Sequence, residues 1–261
     1  MVNFLKLYGQ YVKASFASAL EYRASFVSQI LGMFINDLLW VAFWILYFTK
    51  FPVLGGWTLE DVLVLWSSLT FSYGLVTALM ANCARIPALV VQGQLDYYLA
   101  LPKDVLTHLL MSQIRPIALG DVLFGPVLLV VMVKLTWVKL AVFLAVSLLA
   151  ALIWLGLYIL TGSLTFWLGN AEGLAGQVMG TVLHFASYPT PIFENGVKFL
   201  LFTVLPAGFV STLPVELVRE FRWGGFLELL GGAALFLGAG VLLLGQGLRR
   251  YESGNLMTMR S

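Results

Sequence analysis

Three ionisable residues stand inside apolar stretches, and they are the first candidates for chemistry. Asp37 lies mid-way along FVSQILGMFINDLLWVAFWILYF, and Arg115 and Asp121 flank a proline in a second apolar run. Charged groups in hydrocarbon are costly, so they mark substrate or ion paths, or they serve as hydrogen-bonding partners across helix interfaces. Asp37, beside Asn36, fits either a structural hydrogen bond or a substrate or gating role. Arg115 and Asp121 are six residues apart. At about 100° per helical residue they point in separate directions, so no pairing between them is expected. Arg115 is long enough to snorkel to an interface.

Other chemistries are excluded by what the sequence lacks. His108 and His184 stand alone, with no second His or Cys at ligand spacing, and His184 reads as a packed, hydrogen-bonded residue rather than a proton carrier. The single cysteine, Cys83, allows neither an internal disulfide nor a CxxC metal site. Gly240 and Gly245 have the glycine spacing of a phosphate loop, but Gln246 follows where lysine is needed, so ATP binding by that route is excluded. No G-x-S-x-G or H-E-x-x-H occurs, and Ser163 with His184 makes no convincing intramembrane serine pair. No catalytic, metal or cofactor site is expected in this chain. A secondary transporter would show more ionisable groups at mid-membrane, or paired broken helices in two halves.

The elements that must position these residues are membrane spans. The 261 residues are 60% hydrophobic and only 11% charged, with mean hydropathy +0.92; soluble domains carry about a quarter charged residues. At roughly 20 residues per span there is room for about six. The net charge of +2 and the lack of a basic stripe argue against a nucleic-acid partner. No cleavable signal is expected, because the first apolar run begins near Phe26 behind a mixed segment with Lys6, Lys13, Glu21 and Arg23.

Residues 3–24 have an aromatic apolar stripe (Phe4, Tyr8, Tyr11, Phe16, Leu20) with Lys6 and Lys13 largely off it. That pattern suits a helix lying in the membrane interface; the alternative is a soluble packing helix. Spans are expected at 26–48, 59–82, 106–133, 139–168, 173–187 and 225–247. Thr58 is the expected N-cap of the second, ahead of Glu60 and Asp61. Pro116 and Pro126 should kink the third.

The 42 residues 173–214 hold Pro189, Pro191, Pro206 and Pro214. A straight helix of that length would run about 63 Å, twice the ~30 Å hydrocarbon core. Either two full spans occur there, or one span is followed by short helices entering and leaving the outer leaflet. With an outer re-entrant region and both termini cytoplasmic, eight basic residues lie inside (Lys6, Lys13, Arg23, Arg85, Lys103, Arg249, Arg250, Arg260). Six lie outside (Lys50, Lys134, Lys139, Lys198, Arg219, Arg222). This positive-inside bias favours six spans. The fold class expected is all-α integral membrane, as a single domain over 1–261.

The polar break 83–105 separates spans two and three. Residues 85–100 suit a short amphipathic helix with Ile86, Leu89, Val90 and Leu95 on one side, and Gly93 and Pro102 would bound a turn and a stop. An exposed helix joining two spans can act as a lever; the bland alternative is an inert loop.

At this point the chain resembles the ABC-2 type permeases, through three stretches. Gly93-Gln94-Leu95-Asp96-Tyr97-Tyr98-Leu99-Ala100-Leu101-Pro102 is similar to their G-x-[hydrophobic]-[DE]-x-x-L-x-x-P pattern. Tyr188-Pro189-Thr190-Pro191, with Pro206 and Pro214 beyond it, resembles the proline succession before their last span. Leu248-Arg249-Arg250-Tyr251-Glu252-Ser253-Gly254 is similar to a subfamily C-terminus. Many relatives carry a basic residue directly before the proline of the first pattern, where this chain has Leu101, with Lys103 after it.

The resemblance implies a permease subunit of a bacterial exporter in the cytoplasmic (inner) membrane. Gly93, Leu95, Asp96, Leu99 and Pro102 would form the ATPase-coupling segment, and Tyr188, Pro189, Pro191, Pro206 and Pro214 the outer re-entrant region. It also implies two copies of a partner ATPase carrying the ATP and Mg, and a second permease, identical or homologous. The rival reading is a non-transporting membrane scaffold or assembly protein.

Overall fold

A computed structural model describes residues 4–102 and 104–251. Lys103, Arg260 and residues 252–254 of the C-terminal stretch lie outside the described residues. Among the described residues the regular structure is helical, without a named strand, and five helices are long and apolar enough to cross a membrane. In chain order the first elements are α1 (Phe4–Glu21), α2 (Arg23–Lys50), α3 (Leu59–Leu79), α4 (Ile86–Val91), α5 (Leu95–Leu99), α6 (Val105–Met111) and α7 (Leu119–Leu128). There follow α8 (Trp137–Ser163), α9 (Thr165–Leu168), α10 (Glu172–Ala186), α11 (Asn195–Thr203), α12 (Ala207–Val210), α13 (Thr212–Arg219) and α14 (Trp223–Arg250).

Local chemistry explains where the helices begin. Asp61 accepts from the Thr58 backbone N–H at 2.8 Å, so Thr58 opens α3 as its sequence suggests. Asp104 caps α6 by accepting from the Thr107 N–H at 2.8 Å. α1 is separated from α2 only by Tyr22, whose ψ of 56° leaves the helical region.

The expected span 106–133 is a correction. It is split: α6 ends at Met111, residues 112–115 are irregular, and a 3₁₀ turn (Pro116–Ala118) leads into α7. Pro116 restricts the residue before it to extended backbone, and Arg115 adopts φ −114°, ψ 92°. The freed backbone groups are satisfied by the end of α3 and the turn after it. Arg115 N–H donates to the Ala78 carbonyl at 2.9 Å, and Ala81 N–H to that of Gln113 at 3.2 Å. The crossing helix is therefore Pro116–Val133. It runs through Pro126 into a π-helical turn (Leu129–Val133) and stops at Lys134, φ +53°.

The single helix expected at 85–100 is likewise two, α4 and α5, broken at Gly93. Gly93 has φ +70°, a conformation that glycine adopts without steric cost. Gln94 N–H bonds the Leu89 carbonyl (2.9 Å) and Gly93 N–H that of Val90 (3.3 Å), the paired bonds of a Schellman C-cap. The expected span 173–187 appears as α10, of 15 residues. At 1.5 Å per residue it covers about 22 Å, short of the ~30 Å hydrocarbon core.

Contacts sort the loops to two sides of the bundle. On one side the Tyr8 hydroxyl of α1 donates to the Leu79 carbonyl, Tyr11 bonds His108, and Tyr251 at the end of α14 lies against Asp96. On the other side, Arg219 donates through Nε to Asp61 at 2.9 Å and pairs with it through a second nitrogen. A Cβ at Gly55 would stand 2.5 Å from the Pro191 Cβ. Pro191 and Arg219 thus both meet the 55–61 segment, and the intervening chain leaves and returns on that side. Its two helical arms, Asn195–Thr203 and Ala207–Arg219, are bent by 78°. Such a bend belongs either to a broken span or to a re-entrant loop.

The centre is packed by small residues as much as by large ones, which is how helices associate where lipid removes the hydrophobic drive. α8 and α14 run parallel: a Cβ on Gly156 would stand 2.5 Å from Leu237 N, and one on Gly240 2.7 Å from the Gly156 carbonyl oxygen. α3 and α7 meet the same way at Gly74 and Gly125, against Asp121 and the Ser67 carbonyl. Trp154 and Phe143 of α8 are fully enclosed. Cys83 is buried beside α4, and burial pushes its thiol up to about 12.

Candidate functional site

The isolated polar residues of the sequence come together. Asp37 of α2, Arg115, Asp121 of α7 and His184 of α10 line one cavity of about 760 Å³ between α2, α3, α7 and α10. Its walls include Trp40, Trp66 and Tyr73. The tight α3–α7 crossing at Gly74 sets Asp121 into the wall, because a side chain at 74 would strike the Asp121 Cβ at 2.7 Å.

Asp37 is 5% exposed, and its Oδ2 is buried without a hydrogen-bond partner. Asn36 is within hydrogen-bonding reach of the carboxylate, and Asp121 is close enough for the two charges to act on each other. Arg115 is exposed at the cavity edge, and His184 packs edge-on against Tyr188 at 5.5 Å. Among the described residues, neither Arg115 nor Asp121 forms an ion pair; the pairs seen are Arg219–Asp61 and Arg222–Glu216. Among the same residues no group of three His, Cys, Asp or Glu side chains could hold a metal.

The segment 93–102 sits at the end of α3 on the α1 side. Leu95 is fully buried and anchors it. Buried Tyr98 bonds both Asn82 (3.0 Å) and Ser112 (3.0 Å), and Asn82 also reaches the Leu109 carbonyl at 2.9 Å. His108 is enclosed by the rings of Tyr11, Tyr97 and Tyr98, at 6.1, 6.1 and 5.4 Å. Asp96 and Pro102 are exposed, as are Tyr97 (60%) and Leu99 (43%). Burial first, and the Asp96 carboxylate second, push the Tyr251 phenol up to about 12. The segment is thus tied to α1, to the turn that follows α3, to the end of α6 and to Tyr251 just past α14, while Tyr97, Leu99 and Pro102 stay exposed.

On the opposite side, Pro189, Pro206 and Pro214 are buried and Tyr188 and Pro191 half-buried. The Tyr188 ring meets Trp40 at 6.2 Å and Trp44 at 6.1 Å, which joins this proline-bounded region to α2 and to the cavity wall. Thr190 and Thr212 hydrogen-bond through their hydroxyls and close its base. Sequence reasoning missed the Asp61–Arg219 pair, whose partners are 158 positions apart, and it gave no role to Trp40, Trp66 or Tyr73.

A comparison with curated proteins gives no match. A family model described as "ABC-2 family transporter protein" matches residues 31–254, from the first turns of α2 to beyond the end of α14. With apolar crossing helices, a polar cavity between them and no catalytic motif, this all-α multi-pass membrane protein belongs to the ABC-2 transporter family and is a permease subunit.

Proposed function

We propose that the chain forms the membrane path of an exporter driven by a separate ATPase, with segment 93–102 as the coupling element. The carrying observation is that segment. Its outward face, Tyr97, Leu99 and Pro102, is apolar and exposed, whereas Leu95 and Tyr98 fix it from beneath. An exposed apolar patch on a rigid mount suits a protein groove. A push on it passes through Tyr98 to Asn82 in the turn that follows α3 and to Ser112 just ahead of the 116–133 crossing. Both helices are walls of the polar cavity. Gly93 sets the angle of the segment and Asp96 ties it to the last helix.

In this reading two ATPase copies bind ATP with Mg, and their closure moves the segment. Substrate leaves through the interface between this permease and a second one, identical or homologous. The chain lies in a bacterial cytoplasmic membrane with both termini on the cytoplasmic side, where α1 rests at the interface. The proline-bounded helices from Tyr188 to Pro214 close the outer side, held by the Arg219–Asp61 pair.

The test replaces Tyr97 and Leu99 by glutamate in the native complex. Both side chains are exposed, so the fold should persist. Loss of the co-purifying ATPase with unchanged thermal stability is the expected result. An ATPase that stays bound and fully stimulated, or a native chain that retains no ATPase, overturns the proposal.

A further inference from the structure

We propose that the intramembrane cavity binds an organic cation with an aromatic or apolar body, with Asp37 as its counter-charge. The inference rests on the transport reading above and names the substrate class for it.

Four observations lead there. First, Asp37 Oδ2 is buried without a partner in the protein, and so is Trp66 Nε1 in the same cavity. Buried polar atoms are paired in all but a few cases, so two such atoms on residues of one cavity wall point to a ligand. Second, the charge balance is negative. Asp37 and Asp121 lie within electrostatic reach of each other, and Arg115 is the one basic lysine or arginine side chain lining the cavity, so two carboxylates stand against one guanidinium. Like charges in a low-dielectric site repel, and a cation between them relieves both.

Third, the wall beside Asp37 is aromatic. Trp40 and Trp66 stack at 5.1 Å with 24° between their planes, and Tyr73 continues the wall. Aromatic faces attract cations through the ring quadrupole, tryptophan most strongly, and the gain rises when water is excluded. Fourth, the volume of about 760 Å³ lies inside the roughly 300–1,000 Å³ range of sites for drug-sized ligands. A metal ion does not suit the site, since the described residues hold no cluster of three ligating side chains. An anion would face two carboxylates.

The test uses a pair of ions of equal shape and opposite sign, tetraphenylphosphonium and tetraphenylborate. Each is titrated against the full chain in detergent, with saturable quenching of tryptophan fluorescence as the readout. The expected result is a tetraphenylphosphonium Kd at least tenfold below that of tetraphenylborate. Asp37→Asn should raise the cation Kd at least tenfold and abolish the discrimination, while Asp37→Glu keeps part of it. Equal binding of both ions by the native chain, or cation binding unchanged in Asp37→Asn, overturns the proposal. The ion comparison on the native chain needs no variant, so misfolding cannot mask it. Binding is read without the ATPase. Failure of ATPase capture would therefore sink the transport reading alone, and loss of ion discrimination in a chain that captures ATPase would sink this one alone.

Discussion

Gly93 gives the sharpest test of the coupling geometry, because its substitution acts through one dihedral angle. At φ +70° the residue occupies left-handed space, where a Cβ costs about 1–2 kcal/mol. Alanine therefore lowers the preference for the bent α4–α5 arrangement by roughly 5–30-fold. Its rivals must give up the two cap bonds, Gln94 to Leu89 and Gly93 to Val90, each worth about 0.5–1.5 kcal/mol net. The alanine penalty is thus comparable to what holds the bend, and a minority straightened population should appear. Asparagine tolerates left-handed backbone, so Gly93→Asn should stay close to the native chain, whereas valine, branched at Cβ, should be worst. The assay is ATP-driven transport by proteoliposomes holding the whole complex, with amide exchange over 94–99 read in parallel. Coupled transport should fall in the order Gly, Asn, Ala, Val, and exchange should rise in the same order. A flat series, or asparagine worse than alanine, would refute the claim that the turn at Gly93 sets the coupling angle.

Two further predictions concern the opposite surface and the end of α14. Asp61→Ala should destabilise the chain by about 2–4 kcal/mol, since it removes the Arg219 partner and the cap on Thr58 together. Arg219→Ala should cost only about 1–2 kcal/mol, because that side chain is 46% exposed and Asp61 keeps its Thr58 donors. Unfolding of the single and double variants measures this, and equal costs would contradict it. The Tyr251 phenol titrates near 12 against an ordinary value of 10.0, raised by burial and by Asp96. Stability owed to this contact is complete below about pH 10 and falls as pH rises through 12. Difference absorbance of the native chain against Tyr251→Phe should show the shifted phenol, and a midpoint at 10 would remove the contact.

The crossing helices were legible because lipid imposes a long apolar run on each. α2 and α14 extend three or fewer residues beyond the expected 26–48 and 225–247 at every end. The break at 112–115 was not legible. Pro116 signalled a bend, but the decision to leave the helix rests on carbonyl and N–H partners at Ala78 and Ala81, more than thirty positions upstream. The cavity was half legible. Asp37, Arg115 and Asp121 stood out as charges in apolar runs, yet four separate elements bring them to one space with His184. Helical phase could not relate Arg115 to Asp121, since a 3₁₀ turn lies between them. The aromatic wall gave no signal, because tryptophans facing lipid and tryptophans facing a cavity look alike in sequence.

Cys83 has a practical consequence. Thiolate is the species that attacks maleimides and methanethiosulfonates, and burial, which pushes this thiol up to about 12, disfavours that form. With 1% of its surface accessible, it is sheltered sterically as well. The native sequence therefore behaves as a background nearly silent to thiol reagents, and a cysteine introduced at an exposed position becomes its one responsive label. Residues such as Phe199 or Trp223 can then be interrogated from either face of an intact cell without first rebuilding the packed junction between α3 and α4.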